Sequence, residues 1–207
     1  VKDELDGEAR VFLDPNKLSE DGTVSLAGLE FSKDGKYCAY SISKGGSDWR
    51  EIFVMDTETG KNLTDHIEWV KFSGMSWYKD GFYYSGFDQP EKGKELSVKN
   101  EYHKLFYHKL GDSQEKDILV MQNEKIPSRM FYADVTTDER YLVVYEENLG
   151  DKGHSIHILD HTVKNDFVTI VDDFENNYSV LDNVENQLYI RTNDGAPKYR
   201  LTKCDMA

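Results

Sequence analysis

The chain has 207 residues, enough for one large domain or two small ones with a substantial core. A formal net charge of −14, with Lys and Arg scattered among acids, excludes a phosphate-binding surface for nucleic acid. No apolar run reaches the roughly 18 residues of a membrane helix, two cysteines make no disulfide framework, and 13% aromatic residues exclude a disordered tail.

The opening VKDELDGEAR is charged and lacks the apolar stretch of a secretory signal. A start at Val1 suits a processed or excised piece, so it says nothing of the compartment of a parent protein. EARVFLDP (8–15) reads as the outer strand of a unit that precedes the first complete one.

From residue 24 onward a pattern repeats. VSLAGLEFS (24–32) leads into an Asp34-Gly35 turn and a second strand through Cys38, which is expected to be a buried free thiol. The loop SKGGSDWRE (43–51) is longer than a hairpin needs. It serves either as a rim contact for ligand or partner, or as a seat for Trp49 in the gap between neighbouring units. EIFVMD (51–56) and NLTD (62–65) supply third and fourth strands.

VKFSGMSWY (70–78) starts the next unit, turning at Asp80-Gly81; a polar insertion, 87–102, precedes KLFYHKL (104–110) and DILV (117–120). ADVTTDERYLVVYEE (133–147) places Thr137-Asp138-Glu139 where Asp-Gly stood, and SIHILDH (155–161) and FVTIV (167–171) follow. SVLDNVENQLYIRTN (179–193) turns between Asn183 and Asn186 and is followed only by KYRLTKC (198–204). Taking Phe31, Trp77, Val135 and Val180 as equivalent, the spacings are 46, 58 and 45 residues.

Four antiparallel strands per 45 to 58 residues, with no convincing helix, mark an all-β chain built of β-propeller blades. The expected division is 24–65, 70–120 and 130–171 as blades and 174–207 as an incomplete one. About four blades either close on themselves, with 8–15 completing the last, or form part of a larger ring. An open arc leaves apolar faces uncovered and favours association.

Catalytic motifs are sparse. GMSWY (74–78) and GHSIH (153–157) lack the second glycine of a nucleophile elbow, so Ser76 and Ser155 are read as strand residues. His154, His157 and His161 are read as surface or interstrand groups, because alternation separates the first from the others and about 13 Å of strand separates those two. No metal ligand set and no cofactor are assigned.

The segment VFLDPNKLSEDGTVSLAGLEFSKDGKYCAYSISKGGSDWREIFVMDTETGK (11–61) resembles the propeller of the prolyl oligopeptidases, post-proline serine endopeptidases. EWVKFSGMSWYKDGFYYSGF (68–87), KLFYHKLGDSQEKDILV (104–120) and APKYRL (196–201) extend the resemblance, in order, over nearly the whole chain. It implies a partial β-propeller, about four blades of a seven-bladed ring set over an α/β-hydrolase domain with a Ser-Asp-His triad. The hydrolase half is not in this sequence, so the piece is expected to be inactive alone while gating and lining the cavity for short proline-containing peptides.

Three positions carry over. Phe72 in EWVKFS is similar to a family phenylalanine lining an apolar subsite; its alternative is a core position on an inner strand. Val120 in DILV stands where relatives carry a cysteine near the same pocket, which keeps an apolar wall but no thiol. Asp48 in GGSDW resembles an acid near an arginine of the hydrolase domain; its alternative is a loop cap. The implied setting is cytoplasmic, with the periplasm as alternative, and neither membrane nor nucleic acid is a partner. The rival functional classes are a stand-alone propeller scaffold for proteins or peptides and a propeller glycosidase or lyase.

Overall fold

The computed structural model describes residues 1–2, 4–163 and 166–207, and among them there is no α-helix. Fourteen strands follow one another, with single 3-10 turns at Pro15–Lys17 and Gln114–Lys116. They are β1 (Val24–Phe31), β2 (Tyr37–Lys44), β3 (Arg50–Asp56), β4 (Asn62–Tyr78), β5 (Gly81–Gly86), β6 (Lys104–Lys109) and β7 (Ile118–Gln122). Then come β8 (Arg129–Val135), β9 (Tyr141–Asn148), β10 (Ser155–Asp160), β11 (Val168–Val171), β12 (Tyr178–Val184), β13 (Gln187–Thr192) and β14 (Arg200–Asp205). Every pairing is antiparallel and between chain neighbours, giving sheets of seven, four and three strands. No helix among the described residues is long and apolar enough to cross a membrane.

Side-chain alternation explains how these sheets stack. In YLVV of β9, Tyr141 and Val143 enter one cluster with Ile156, Tyr178, Leu188 and Ile190, while Leu142 and Val144 enter another with Tyr83, Leu105 and Phe131. β5 does the same, sending Phe82 and Tyr84 toward Ala39, Ile52 and Val54 and Tyr83 toward Phe131. A central strand thus has both faces buried and reads as an unbroken apolar run. The first strands of successive groups touch: Trp77 donates its indole N–H to the Glu30 carbonyl, and the Val135 amide donates to Ser76 Oγ.

The hairpin tips lie together on one rim. Ser32 Oγ donates to Asp34 Oδ1 and accepts from the Tyr37 amide, with Gly35 at φ 72°. Thr136, Asp138 and Tyr141 repeat these bonds, with Glu139 at φ 65° in the glycine's place. Lys33 pairs with Glu139 at 3.6 Å, the Lys79 amide donates to Glu139, and Asn183 donates to Asp138, tying the other three tips to the Asp138–Glu139 tip. Cys38 is buried and free, its thiol pushed up to about 11 by burial and then by Glu30.

Three expectations are corrected. Residues 8–15 form no strand: Asp14 caps a 3-10 turn that Pro15 opens, ending the extended run, and Phe12, Leu13 and Leu18 instead cover Tyr40, Ile42 and Met55 with side chains. No break separates 62–65 from 70–78. β4 is one strand that pairs Val70 with both Arg50 and Gly86, and it doubles back at an irregularity between Val70 and Met75, with Trp69 at φ 59° and Phe72 at φ 52°. Gly81 does not supply the positive φ of its turn, which falls on Lys79; its missing side chain instead makes room for the His108 carbonyl, 2.1 Å from where a Cβ would stand.

Candidate functional site

Because the strands alternate in direction, the β2–β3 loop, the β4 bend and the β5–β6 insertion lie on the rim opposite the hairpin tips. Gly45 and Gly46, both at positive φ, turn the first of these back on itself. Ser43 Oγ donates to the Ser47 carbonyl at 2.5 Å and Ser47 Oγ accepts from the Trp49 amide at 3.1 Å. The loop cap is therefore Ser47, and Asp48 projects into solvent with its side chain 79% exposed.

Trp49 packs edge-on against Trp69 at 5.7 Å and Phe87 at 5.9 Å, and its indole N–H donates to the Glu95 carbonyl at 2.6 Å. The ring thus joins the loop to the bend and to the insertion. Lys71 sits at the centre, only 12% exposed. Its ammonium lies 3.7 Å from Asp48 Oδ2, donates to Asn100 Oδ1 at 3.1 Å, and stands over Trp49 at 5.0 Å and Phe72 at 5.6 Å. Phe72 is 38% exposed, so it is no core residue.

The bend is anchored from behind by a buried imidazole. His103 Nε2 bonds the Lys71 carbonyl at 2.9 Å, and Nδ1 accepts from the Phe131 amide at 3.0 Å, which fixes the neutral Nε2–H tautomer. Burial holds His103 down at about 4, against a smaller opposing contribution from the Lys71 carbonyl. Gly86 lets the Trp69 carbonyl approach to 2.7 Å from where a Cβ would be.

Of the residues singled out from sequence, Asp48 and Phe72 share Lys71, whereas Val120 lies elsewhere. It belongs to the cluster around Tyr83, Leu105 and Phe131 and lines a groove of about 830 Å³ with Tyr78, Tyr107, Leu159 and His161. Lys71 and His103 escaped the sequence reading. The basic residue between aromatics in WVKF was the visible cue for Lys71; His103 gave none, since its partners are distant in sequence.

The three histidines of GHSIHILDH bond between strands or stack, as read. His154 Nε2 meets the Tyr178 carbonyl at 2.6 Å, and His161 stacks on Tyr78 at 3.8 Å. His157 lies between Ser155 and Glu146 in a serine–histidine–acid trio, yet Ser155 Oγ at 2.9 Å and Glu146 Oε2 at 3.1 Å share the one nitrogen, Nε2. A relay needs them on opposite nitrogens, and Ser155 is fully buried, so the trio is a structural clamp.

Known proteins place this architecture. A family model described as "Prolyl oligopeptidase, N-terminal beta-propeller domain" matches residues 1–207. The prolyl endopeptidase of Elizabethkingia meningoseptica is 46% identical over 198 residues, covering 95% of this chain and 28% of that protein. Prolyl oligopeptidase A of Amanita bisporigera is 35% identical over 229 residues, covering 98% of this chain and 30% of its own length. A structure from a study of two prolyl endopeptidases superposes with a TM-score of 0.86 at 30% identity, over 97% of this chain and 28% of that one. Prolyl oligopeptidase B from Galerina marginata, bound to a 35-residue hydrolysis and macrocyclization substrate, gives 0.82 at 29% identity, over 93% and 29%. The chain spans less than a third of the length of these relatives.

Proposed function

Because the chain belongs to the family of prolyl oligopeptidase N-terminal β-propeller domains, we propose that it works as the lining and gate of a serine peptidase's substrate cavity. In this reading the strand groups β1–β4, β4–β7, β8–β11 and β12–β14 are four blades of a seven-bladed ring. The Ser-Asp-His triad comes from an α/β-hydrolase domain in another part of the same protein, and the substrates are short proline-containing peptides. The setting is cytoplasmic, where both unpaired cysteines stay reduced.

The observation that carries the proposal is the rim where Lys71 draws Asp48 and the half-exposed Phe72 together. An apolar ring beside fixed charges suits a peptide subsite. Phe72 forms an apolar wall for a substrate side chain, Val120 supplies a second apolar surface, and Asp48 orients an arginine of the hydrolase domain across the boundary. The chain contributes no nucleophile, and on its own it turns over no chromogenic proline peptide.

The test uses the full-length protein. Phe72→Ala removes contact made equally in ground and transition states, so KM for a peptide with an apolar residue upstream of proline rises roughly tenfold while kcat holds. An unchanged KM, or turnover by the isolated chain above buffer, would overturn the reading.

A further inference from the structure

We propose a divalent transition-metal site, suited to Zn²⁺, formed by Glu51 on β3 with His66 and Glu68 on β4. One carboxylate oxygen of each glutamate and one ring nitrogen of His66 lie within 4.8 Å of one another. The site is independent of the peptidase reading and lies on the face of β3 and β4 opposite their buried residues.

Strand geometry builds the cluster. His66 and Glu68 are two residues apart, so they project from the same side of β4, while Ile67 between them is fully buried. On β3, Glu51 and Phe53 share the corresponding side and Ile52 points into the core. Phe53 pairs with His66 and Ile52 with Ile67, so the same register brings Glu51 opposite Glu68, next to the irregularity between Ile52 and Arg50.

Each of the three residues is held by a different neighbour. The Phe53 ring stacks on the His66 ring at 4.5 Å and 11°, which limits the imidazole's rotation. Gln114 brackets the backbone of Glu68, accepting from its amide and donating to its carbonyl, both at 2.9 Å. Lys44 grips Glu51 Oε1 at 2.5 Å, leaving Oε2 directed at His66 Nε2, 2.7 Å away. One imidazole nitrogen with two carboxylate oxygens is a zinc-competent donor set, distinct from a patch of acids because the nitrogen favours borderline metals over Ca²⁺ or Mg²⁺.

Bonds of about 2.0–2.2 Å separate neighbouring tetrahedral ligands by roughly 3.4 Å, so entry needs only side-chain adjustment. The ion displaces the hydrogen bond between His66 Nε2 and Glu51 Oε2, the neutral imidazole carrying its one proton on Nδ1, and Lys44 remains on the outer oxygen of Glu51. Water fills the fourth position. Since Glu68 directly precedes Trp69, occupancy clips β3 to β4 at the start of the bend that presents Lys71 and Phe72.

The experiment titrates ZnCl₂ into full-length, chelator-treated protein by calorimetry and repeats the titration with Co²⁺, whose visible d–d absorption reports coordination. One saturable site is expected, weakened tenfold or more by His66→Gln and by Glu68→Gln and unchanged by Glu58→Gln on the β3–β4 turn. In unsubstituted protein Zn²⁺ should also shield His66 from diethyl pyrocarbonate, a readout that requires no variant. No saturable uptake, uptake that ignores both ligand variants, or unshielded His66 would leave a plain ion-pair cluster and overturn the proposal.

Discussion

Acid should weaken this fold through His103, and the size of the effect follows from its burial. The unfolded chain takes up a proton near the ordinary imidazole value of about 6.5, while the folded protein does so only near 4. Between those values the unfolded state binds more protons, so stability falls as pH falls. A depression of about 2.5 units corresponds to roughly 3 kcal/mol, absent at pH 7 and fully expressed below pH 4. The geometry agrees in sign: a proton added at Nδ1 would confront the Phe131 N–H, and charge would sit in a site with almost no water. His103→Gln can keep a donor for Lys71 and an acceptor for Phe131 without titrating. Urea unfolding followed by tryptophan fluorescence at pH 7.5, 6.0, 5.0 and 4.5 compares the two proteins, and their difference cancels the carboxylates common to both. The gap should move in favour of the variant by about 1 kcal/mol per pH unit below pH 6. A gap that stays constant across the series would refute the assignment of a neutral buried imidazole.

His108 titrates with the opposite sign. Burial alone would lower it, but Asp117 at 2.7 Å and Asp65 at 3.0 Å together raise it to about 9, so its contribution is complete below pH 6.5 and lost as pH rises through 9. Asp117→Asn should flatten that alkaline loss in unfolding measured from pH 7 to 10. Phe82→Ala, in the core shared by β2–β5, should cost about 3–5 kcal/mol in urea unfolding with an unchanged m-value. Gly81→Ala should cost at least 1–3 kcal/mol by the same measurement, because its new methyl meets backbone at His108 rather than a movable side chain.

Much of the fold was written in local chemistry. The Ser32–Asp34–Tyr37 turn and its Thr136–Asp138–Tyr141 counterpart are closed by bonds within six residues, so their repeat was readable before any tertiary contact. YLVV announced a strand buried on both faces. EARVFLDP misled because alternating apolar residues record that a segment is covered, not whether a ladder or side chains cover it; here Phe12 and Leu13 lie against Tyr40 and Ile42 without pairing. The continuity of β4 was hidden as well, since Trp69 and Phe72 carry no turn signature and reverse the chain only because neighbours hold them.

That last point bears on the site. Lys79, Glu139 and Glu185 adopt left-handed conformations inside hairpin turns, which require them, whereas Trp69 and Phe72 do so at the bend inside a single strand. Two bulky residues there cost about 2–4 kcal/mol, a strain that persists only where surroundings over-determine it. Those surroundings are identifiable: His103 on the Lys71 carbonyl, the bare Cα of Gly86 under Trp69, and the Phe87 amide donating to the Trp69 carbonyl at 3.1 Å. A core strand would gain nothing from such a bend. Its effect is to turn Phe72 outward beside Lys71 and Asp48, on the rim opposite the hairpin tips. The sequence offered Asp48 and Phe72 as separate candidates because their connection runs through a lysine whose place is set by an imidazole thirty-two residues away.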